Sequence, residues 1–400
     1  MTTIDAAAFL ADLDHLRTIG TYKTGVHRPT YAADDMASRH WLMERLQACG
    51  HTAEIDGIGN VFGWHQGPGP KLLVGSHIES QNYAGWLDGC LGVVAGVALA
   101  RAGLAVDVAA WADEEGHYLS FPGSRSYIGQ LSEAEIDAAS NRYHGQKLRD
   151  ALAEAGLAGK KRVQHKPGRH IGFLEMHIEQ GRTLDATGER VGVVTGIVAI
   201  WQYRIVCEGA QNHAGTTTMA ERKDAGLAAV RLLAAIDRDY PKVAGERSVW
   251  TAGRISLDPG AASIIPGRAE VLFQHRDVDK QVLQRMEDCL TRLVAEADAA
   301  GPCRVRLEVV NRAVPALCEP RFMDAMAAAA EARAPGKWRR MPSGAGHDAQ
   351  VLSQVMPAAM LFTPSINGIS HHWTEDTKRE DLVLGCQVLA DTAAALLKGG

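Results

Sequence analysis

Side chains that can hold a metal or move a proton stand at the ends of apolar runs in this 400-residue chain. His77 closes KLLVGSH, and Asp88 follows the loop AGW and opens an apolar stretch rich in Ala, Val and Leu. Glu114 and Glu115 follow VDVAAWA, His177 closes IGFLEMH, and His371 sits in GISHHWTE beyond the apolar run 358–363. Histidines mixed with carboxylates form a nitrogen and oxygen donor set that suits Zn, Mn, Co or Ni better than Mg or Ca. One carboxylate between two such cations can bridge them, and a two-metal site can lower the pKa of a water and polarise a carbonyl. Successive side chains of an extended segment point in opposite directions. One of the adjacent Glu114 and Glu115 can therefore bind metal while the other serves as general base.

The elements that must position these groups follow from hydrophobic pattern. Runs 71–77, 106–112 and 171–177 read as buried strands, 358–363 as a further apolar run, and 32–49 and 91–101 as helices. Strands alternating with helices predict an α/β domain with a largely parallel sheet, whose strand carboxyl ends form the site. From 197 to 310 the order changes to strand 201–208, helix 221–240, strands 248–257 and 268–275, helix 278–300 and strand 303–310. That is βαββαβ, the ferredoxin-like split sandwich. The expected organisation is a catalytic domain of residues 1–196 and 311–400 with an inserted small domain of residues 197–310.

Seven motifs occur in order: GSHIES (75–80), LDG (87–89), DEEG (113–116), GSR (123–125), LEMHIEQG (174–181), NHAGTT (212–217) and SGAGHDA (343–349). Together with GVHR (25–28) and DGIGNVFG (56–63), the chain closely resembles the hydantoinase/carbamoylase branch of the M20 metallopeptidase-like family. That branch holds N-carbamoyl-L-amino acid hydrolases, β-ureidopropionases and allantoate amidohydrolases. The resemblance implies two divalent metal ions held by His77, Asp88, Glu115, His177 and His371, with Asp88 as the bridge and Glu114 as the base. It places Gln180 near the scissile amide, His213 on the oxyanion of the other subunit's substrate, and Arg276 on the substrate carboxylate. Gly344 and Ala345 match a loop lining the pocket. It further implies a homodimer joined through the small domain, which acts as a lid.

Some residues depart from the family pattern. Glu79 stands where an Asp usually orients the first metal histidine, and Ser263 where an Asn usually helps the arginine hold substrate. Thr218 replaces a proline. Trp86 and Trp373 read as loop packing, with an aromatic-tolerant pocket as the alternative, and His347 and Asp348 read as supports rather than ligands.

The implied activity is hydrolysis of a linear amide, ureido or carbamoyl bond in a small carboxylate. The alternatives are an N-acyl amino acid hydrolase or dipeptidase, an amidine or amine deaminase on the same site, or a non-catalytic ligand-binding relative. The net charge of −5 argues against nucleic-acid partners. No run of roughly 18 apolar residues predicts a membrane span. The seven cysteines are odd in number and never spaced C-x-x-C, so they read as small buried hydrophobes of a cytoplasmic protein.

Overall fold

The computed structural model describes residues 2–399, which form two compact units: 2–196 with 317–399, and 197–316. In the first unit, strands Lys71–His77, Val106–Trp111, His170–Ile178 and Ala358–Thr363 pair in parallel. Each is wholly or almost wholly buried, which is why it reads as a continuous apolar run instead of an alternating one. Helix Cys90–Arg101 packs on this layer, and all its residues but the last are buried.

The sheet is less parallel than its sequence rhythm predicts. Val61–Trp64 and Thr52–Ile55 extend one side antiparallel, and Val191–Ile197 pairs antiparallel with Ala358–Thr363 on the other. The short link 56–60 returns the chain at once, and so short a link joins only antiparallel strands. Asp56 holds that link, accepting from the backbone N–H groups of Ile58 at 3.0 Å and Asn60 at 2.9 Å.

Register brings the site together. Paired Cα positions join His77 to Trp111, and Phe362 to His177, in one row at the carboxyl ends of the strands. The chemistry-bearing loops all leave from that row.

The second unit is a four-stranded antiparallel sheet in the order 249–258, 268–277, 199–208, 304–312. Helices Ala225–Asp239 and Lys280–Ala300 cover one face. Asp224 and Asp279 cap them, each side chain accepting a backbone N–H of the first turn. This is the expected βαββαβ order. Strand 304–312 runs two residues beyond the predicted end, past an irregularity between Val309 and Asn311. All seven cysteines are unpaired, six of them buried and Cys49 partly so. Among the described residues, no helix is long and apolar enough to cross a membrane.

His275 lies wholly buried in the second unit, against the hydroxyls of Tyr240 at 3.1 Å and Tyr203 at 3.5 Å. Burial lowers its pKa to about 4. An unfolded histidine titrates near ~6.5, so between these values the unfolded chain binds more protons. Stability from this group is complete above the unfolded pKa and falls as pH drops toward the folded one. The expected loss by the lower limit is roughly 2–3 kcal/mol. Urea unfolding across this range should show a steeper pH dependence in the native chain than in His275→Asn. Parallel profiles would refute it.

Candidate metal centre

Asp88 is the hub of the first unit's strand ends. Its Oδ1 lies 3.0 Å from His177 Nε2 and 3.5 Å from His77 Nε2. Its Oδ2 lies 3.1 Å from His371 Nε2, which is itself 3.7 Å from Glu115 Oε1. Two donor groups result, His77–Asp88–His177 and Asp88–Glu115–His371, each with its donor atoms within 4.8 Å of one another. Glu114 Oε2 approaches His77 Nε2 at 3.7 Å and belongs to neither group.

Backbone groups set the protonation of two of these rings. His77 Nδ1 faces the Glu79 carbonyl at 3.1 Å, and His177 Nδ1 faces the Ile178 carbonyl at 2.8 Å. A carbonyl only accepts, so each Nδ1 carries a proton and each Nε2 is the nitrogen turned to Asp88, a hydrogen-bond donor while the ring is charged and a metal-binding lone pair once it is neutral.

Gly89 makes room for this packing. It has φ +68°, and a Cβ there would lie 2.4 Å from the His77 ring. Glu375 fixes the same loop by accepting from the N–H groups of Leu87 and Asp88, both at 3.1 Å. Asp113, with φ +59°, ties down the turn that carries Glu114 and Glu115. Its carboxylate accepts from the backbone N–H groups of His117 at 2.6 Å and of Tyr118 and Leu119 at 2.9 Å. Gln81 then holds Glu115 through its backbone N–H at 3.2 Å and its side-chain amide at 2.9 Å.

The electrostatics fit a cationic guest. Burial resists charge on Asp88, but hydrogen bonds from His177, His371 and His77 outweigh it and hold the carboxyl well below its usual range. Burial pushes Glu114 well above its ordinary value, and Glu115, Asp348 and Asp88 add to that. Burial and Asp88 raise Glu115 and bring Glu375 to about 7. The hydrogen bond to Asp88 lifts His371 to about 9. Carboxyl groups packed this densely in a buried place need counter-charge, and divalent cations on these nitrogen and oxygen donors would supply it.

Glu79 does not orient His77 in the way its position suggests. Its carboxylate stays 3.9 Å from the ring. It instead accepts the Glu114 N–H at 2.7 Å and the Arg39 guanidinium at 2.7 Å. Arg39 is fully buried and also holds Asp35 and the Gly59 carbonyl. Trp86 is packing: 2% exposed, it lies beneath the guanidinium of Arg17, 4.6 Å from the ring centroid. Behind the metal row, His347 stacks edge-on against His177 at 4.7 Å. Asp348 accepts from Ser124 at 2.5 Å. Neither belongs to a donor group.

Of the other expected site residues, Gln180 reaches the hub, donating to Asp88 Oδ2 at 3.0 Å. Gly344 and Ala345 lie in the turn after strand Trp338–Ser343, where Ala345 donates its N–H to Ser343 Oγ at 3.1 Å. His213, Ser263 and Arg276 lie in the second unit. Strand Asn212–His213 pairs with Ile264–Ile265, and the Ala214 N–H donates to the Ser263 carbonyl at 2.9 Å. Arg276 lies on strand Arg268–Asp277, half-buried, and burial lowers its guanidinium pKa. The sequence reading missed Arg39, Gln81, Glu175 and Glu375. Glu175 lies inside a recognised motif and accepts from Ser76 at 2.7 Å. Glu375, four residues beyond His371, carried no signal of its own.

Residues 68–395 match the model of peptidase family M20/M25/M40. An N-carbamoyl-L-amino acid amidohydrolase of Geobacillus stearothermophilus is 30% identical over 391 residues, 94% of each chain. An allantoate amidohydrolase of Bacillus subtilis is 31% identical over 384 residues, 92% of each. A solved amidase of the hydantoinase/carbamoylase family from Burkholderia phymatum shares 43% identity at a TM-score of 0.91, covering 100% of this chain and 99% of its own. The chain belongs to peptidase family M20/M25/M40, in its hydantoinase/carbamoylase branch, and is a hydrolase of C–N bonds. The named relatives act on small carboxylates.

Replacing Gly89 by Ala should cut bound divalent metal to well under half while leaving the far-UV circular dichroism intact. Metal analysis after dialysis checks this, and full retention would refute the steric argument.

Proposed function

We propose that this chain hydrolyses a linear carbamoyl or ureido bond in a small carboxylate of the N-carbamoyl amino acid or allantoate type. The observation that carries this reading is the convergence of three imidazoles on the two oxygens of one buried carboxylate, Asp88, with Glu115 beside the third imidazole. His77 and His177 beside one oxygen, and His371 with Glu115 at the other, would hold two divalent cations, drawn from Zn, Mn, Co or Ni, with Asp88 common to both groups. Such a pair, when bound, activates water and polarises the scissile carbonyl.

Glu114 takes the proton of the attacking water and returns it to the leaving nitrogen. Its place beside His77 and its tie to Glu79 through its own N–H support that role. Cations nearby favour its ionised form and so oppose the rise that burial causes.

His213 accepts backbone N–H groups at Nδ1, from Gly215 at 3.0 Å and Thr216 at 3.3 Å. Its proton therefore rests on Nε2, as a donor to a developing oxyanion requires. In a homodimer it would serve the partner's substrate. Arg276 takes the substrate carboxylate. Ser263, shorter than the usual asparagine, cannot add an amide fork there, so the preferred substrate departs from a standard N-carbamoyl-α-amino acid.

Glu114→Gln should lower kcat by at least about 10³-fold with metal content unchanged, the ordinary order for losing a general base being 10²–10⁴. A panel of N-carbamoyl-α-amino acids, N-carbamoyl-β-alanine, allantoate, N-acyl amino acids and dipeptides, with ammonia and amine both read, tests the substrate class. Turnover confined to dipeptides or N-acyl amino acids would overturn it. Efficient turnover of ordinary N-carbamoyl-α-amino acids would overturn the reading of Ser263.

Dimerisation is proposed through the edge strand Val249–Asp258, which exposes Val249, Ile255 and Leu257 at 54, 50 and 45%. An apolar edge left open invites pairing with another strand. Sedimentation should give twice the 43.0 kDa chain mass, and Ile255→Lys with Leu257→Lys should give monomer. A native monomer would refute it.

A further inference from the structure

The strands that end in metal ligands begin beside a cavity. Lys71 opens the strand that His77 closes, six residue steps or about 20 Å away. Arg169 precedes the strand that carries His177. Both line a cavity of ≈ 690 Å³ walled by residues 161–166, in the loop that leads into that second strand, and by residues around Trp64.

The wall is cationic. Lys71, Lys161, Arg162, Lys166 and Arg169 face the cavity, with Glu54 as the one carboxylate among its lining residues. Glu54 accepts the Trp64 indole N–H at 2.7 Å. Arg162 and Arg169 are paired with Glu133 and Asp107. Lys71, Lys161 and Lys166 form no ion pair among the described residues.

Lys71 is the decisive group. It is 6% exposed, and its ammonium donates to the Gly69 carbonyl and to no carboxylate. An ammonium offers three donors, and a buried charge without a counter-charge is costly. The loop opposite is held in place before any ligand arrives. The Val163 N–H donates to Asp56 at 3.1 Å and the His165 N–H to the Tyr127 carbonyl at 2.7 Å. The Trp64 ring is already packed by Phe62 and by the Arg169 guanidinium, so charge rather than ring stacking selects the ligand.

We propose that this cavity is a binding site for a multivalent oxyanion, phosphoryl or polycarboxylate, separate from the metal centre. Isothermal titration calorimetry of the metal-loaded full chain at constant ionic strength tests it. Inorganic phosphate and propane-1,2,3-tricarboxylate are titrated separately, which distinguishes the two sources of charge. Saturable binding of at least one of them is expected, weakened tenfold or more by Lys71→Met and by the exposed Lys166→Ala, and unchanged by Arg276→Ala. No saturable heat with either anion would overturn the proposal. So would equal affinity in both lysine variants, or loss only in Arg276→Ala. Should Lys71→Met fail to fold, Lys166→Ala still decides. Turnover is not the readout, so the outcome is independent of the hydrolytic reading.

Discussion

Negative charge buried without enough positive charge is the constraint on which the first unit is built. Glu79, Asp88, Glu115, Glu175, Asp348 and Glu375 are all buried near the strand ends, and the Glu114 side chain is only 9% exposed. Arg39 is the arginine that reaches this cluster, through Glu79. Burial of a lone carboxylate costs several kcal/mol unless it is protonated or paired. The raised pKa values of Glu114, Glu115, Glu175, Asp348 and Glu375 are the protonated solution. Divalent cations are the other solution, and they couple metal binding to the stability of this end of the sheet.

The parallel strands make that concentration possible. Four strands ending in one row launch four loops into the same small space, which antiparallel hairpins would send to opposite ends. Holding the loops there requires strained backbone. Asp113, Gln180 and His371 all have φ near +55 to +59°, a conformation that costs non-glycine residues on the order of 1–2 kcal/mol. The hydrogen bonds of Asp113 to three successive N–H groups, and of Gln180 to Asp88, offset that cost where the site needs it.

The bounds of strands 71–77 and 358–363 were legible to the residue, because both of their faces are buried and polar or turn-forming residues bound them. The candidate donors His77, Asp88, Glu115, His177 and His371 were legible as an ordered set of motifs, and the fold brings them into two groups around Asp88. The antiparallel flanks were not, since a four-residue strand such as Val61–Trp64 carries too little pattern to reveal its direction. Glu79 shows a different limit. The family resemblance implies a carboxylate here that orients the ring, yet the Glu79 carboxylate stands 3.9 Å from His77 and accepts the Glu114 N–H. Arg39 and Glu375 lay beyond sequence reasoning, because their partners are 40 and 287–288 residues away in the chain.

What sequence could not state at all is which ring nitrogen each histidine offers, and the chemistry turns on that. At His77 and His177 a backbone carbonyl accepts the Nδ1 hydrogen bond, so Nε2 is the nitrogen that a neutral ring offers to a metal. At His213 backbone N–H groups occupy Nδ1 instead, so Nε2 keeps its hydrogen and can only donate. The same side chain becomes an electron-pair donor in one unit and a hydrogen-bond donor in the other. The selecting agent is one main-chain atom, carbonyl oxygen or amide nitrogen, and that choice is made by the local turn. Function here is thus written in backbone conformation as much as in residue type, and a histidine moved between these positions would keep its identity and lose its role.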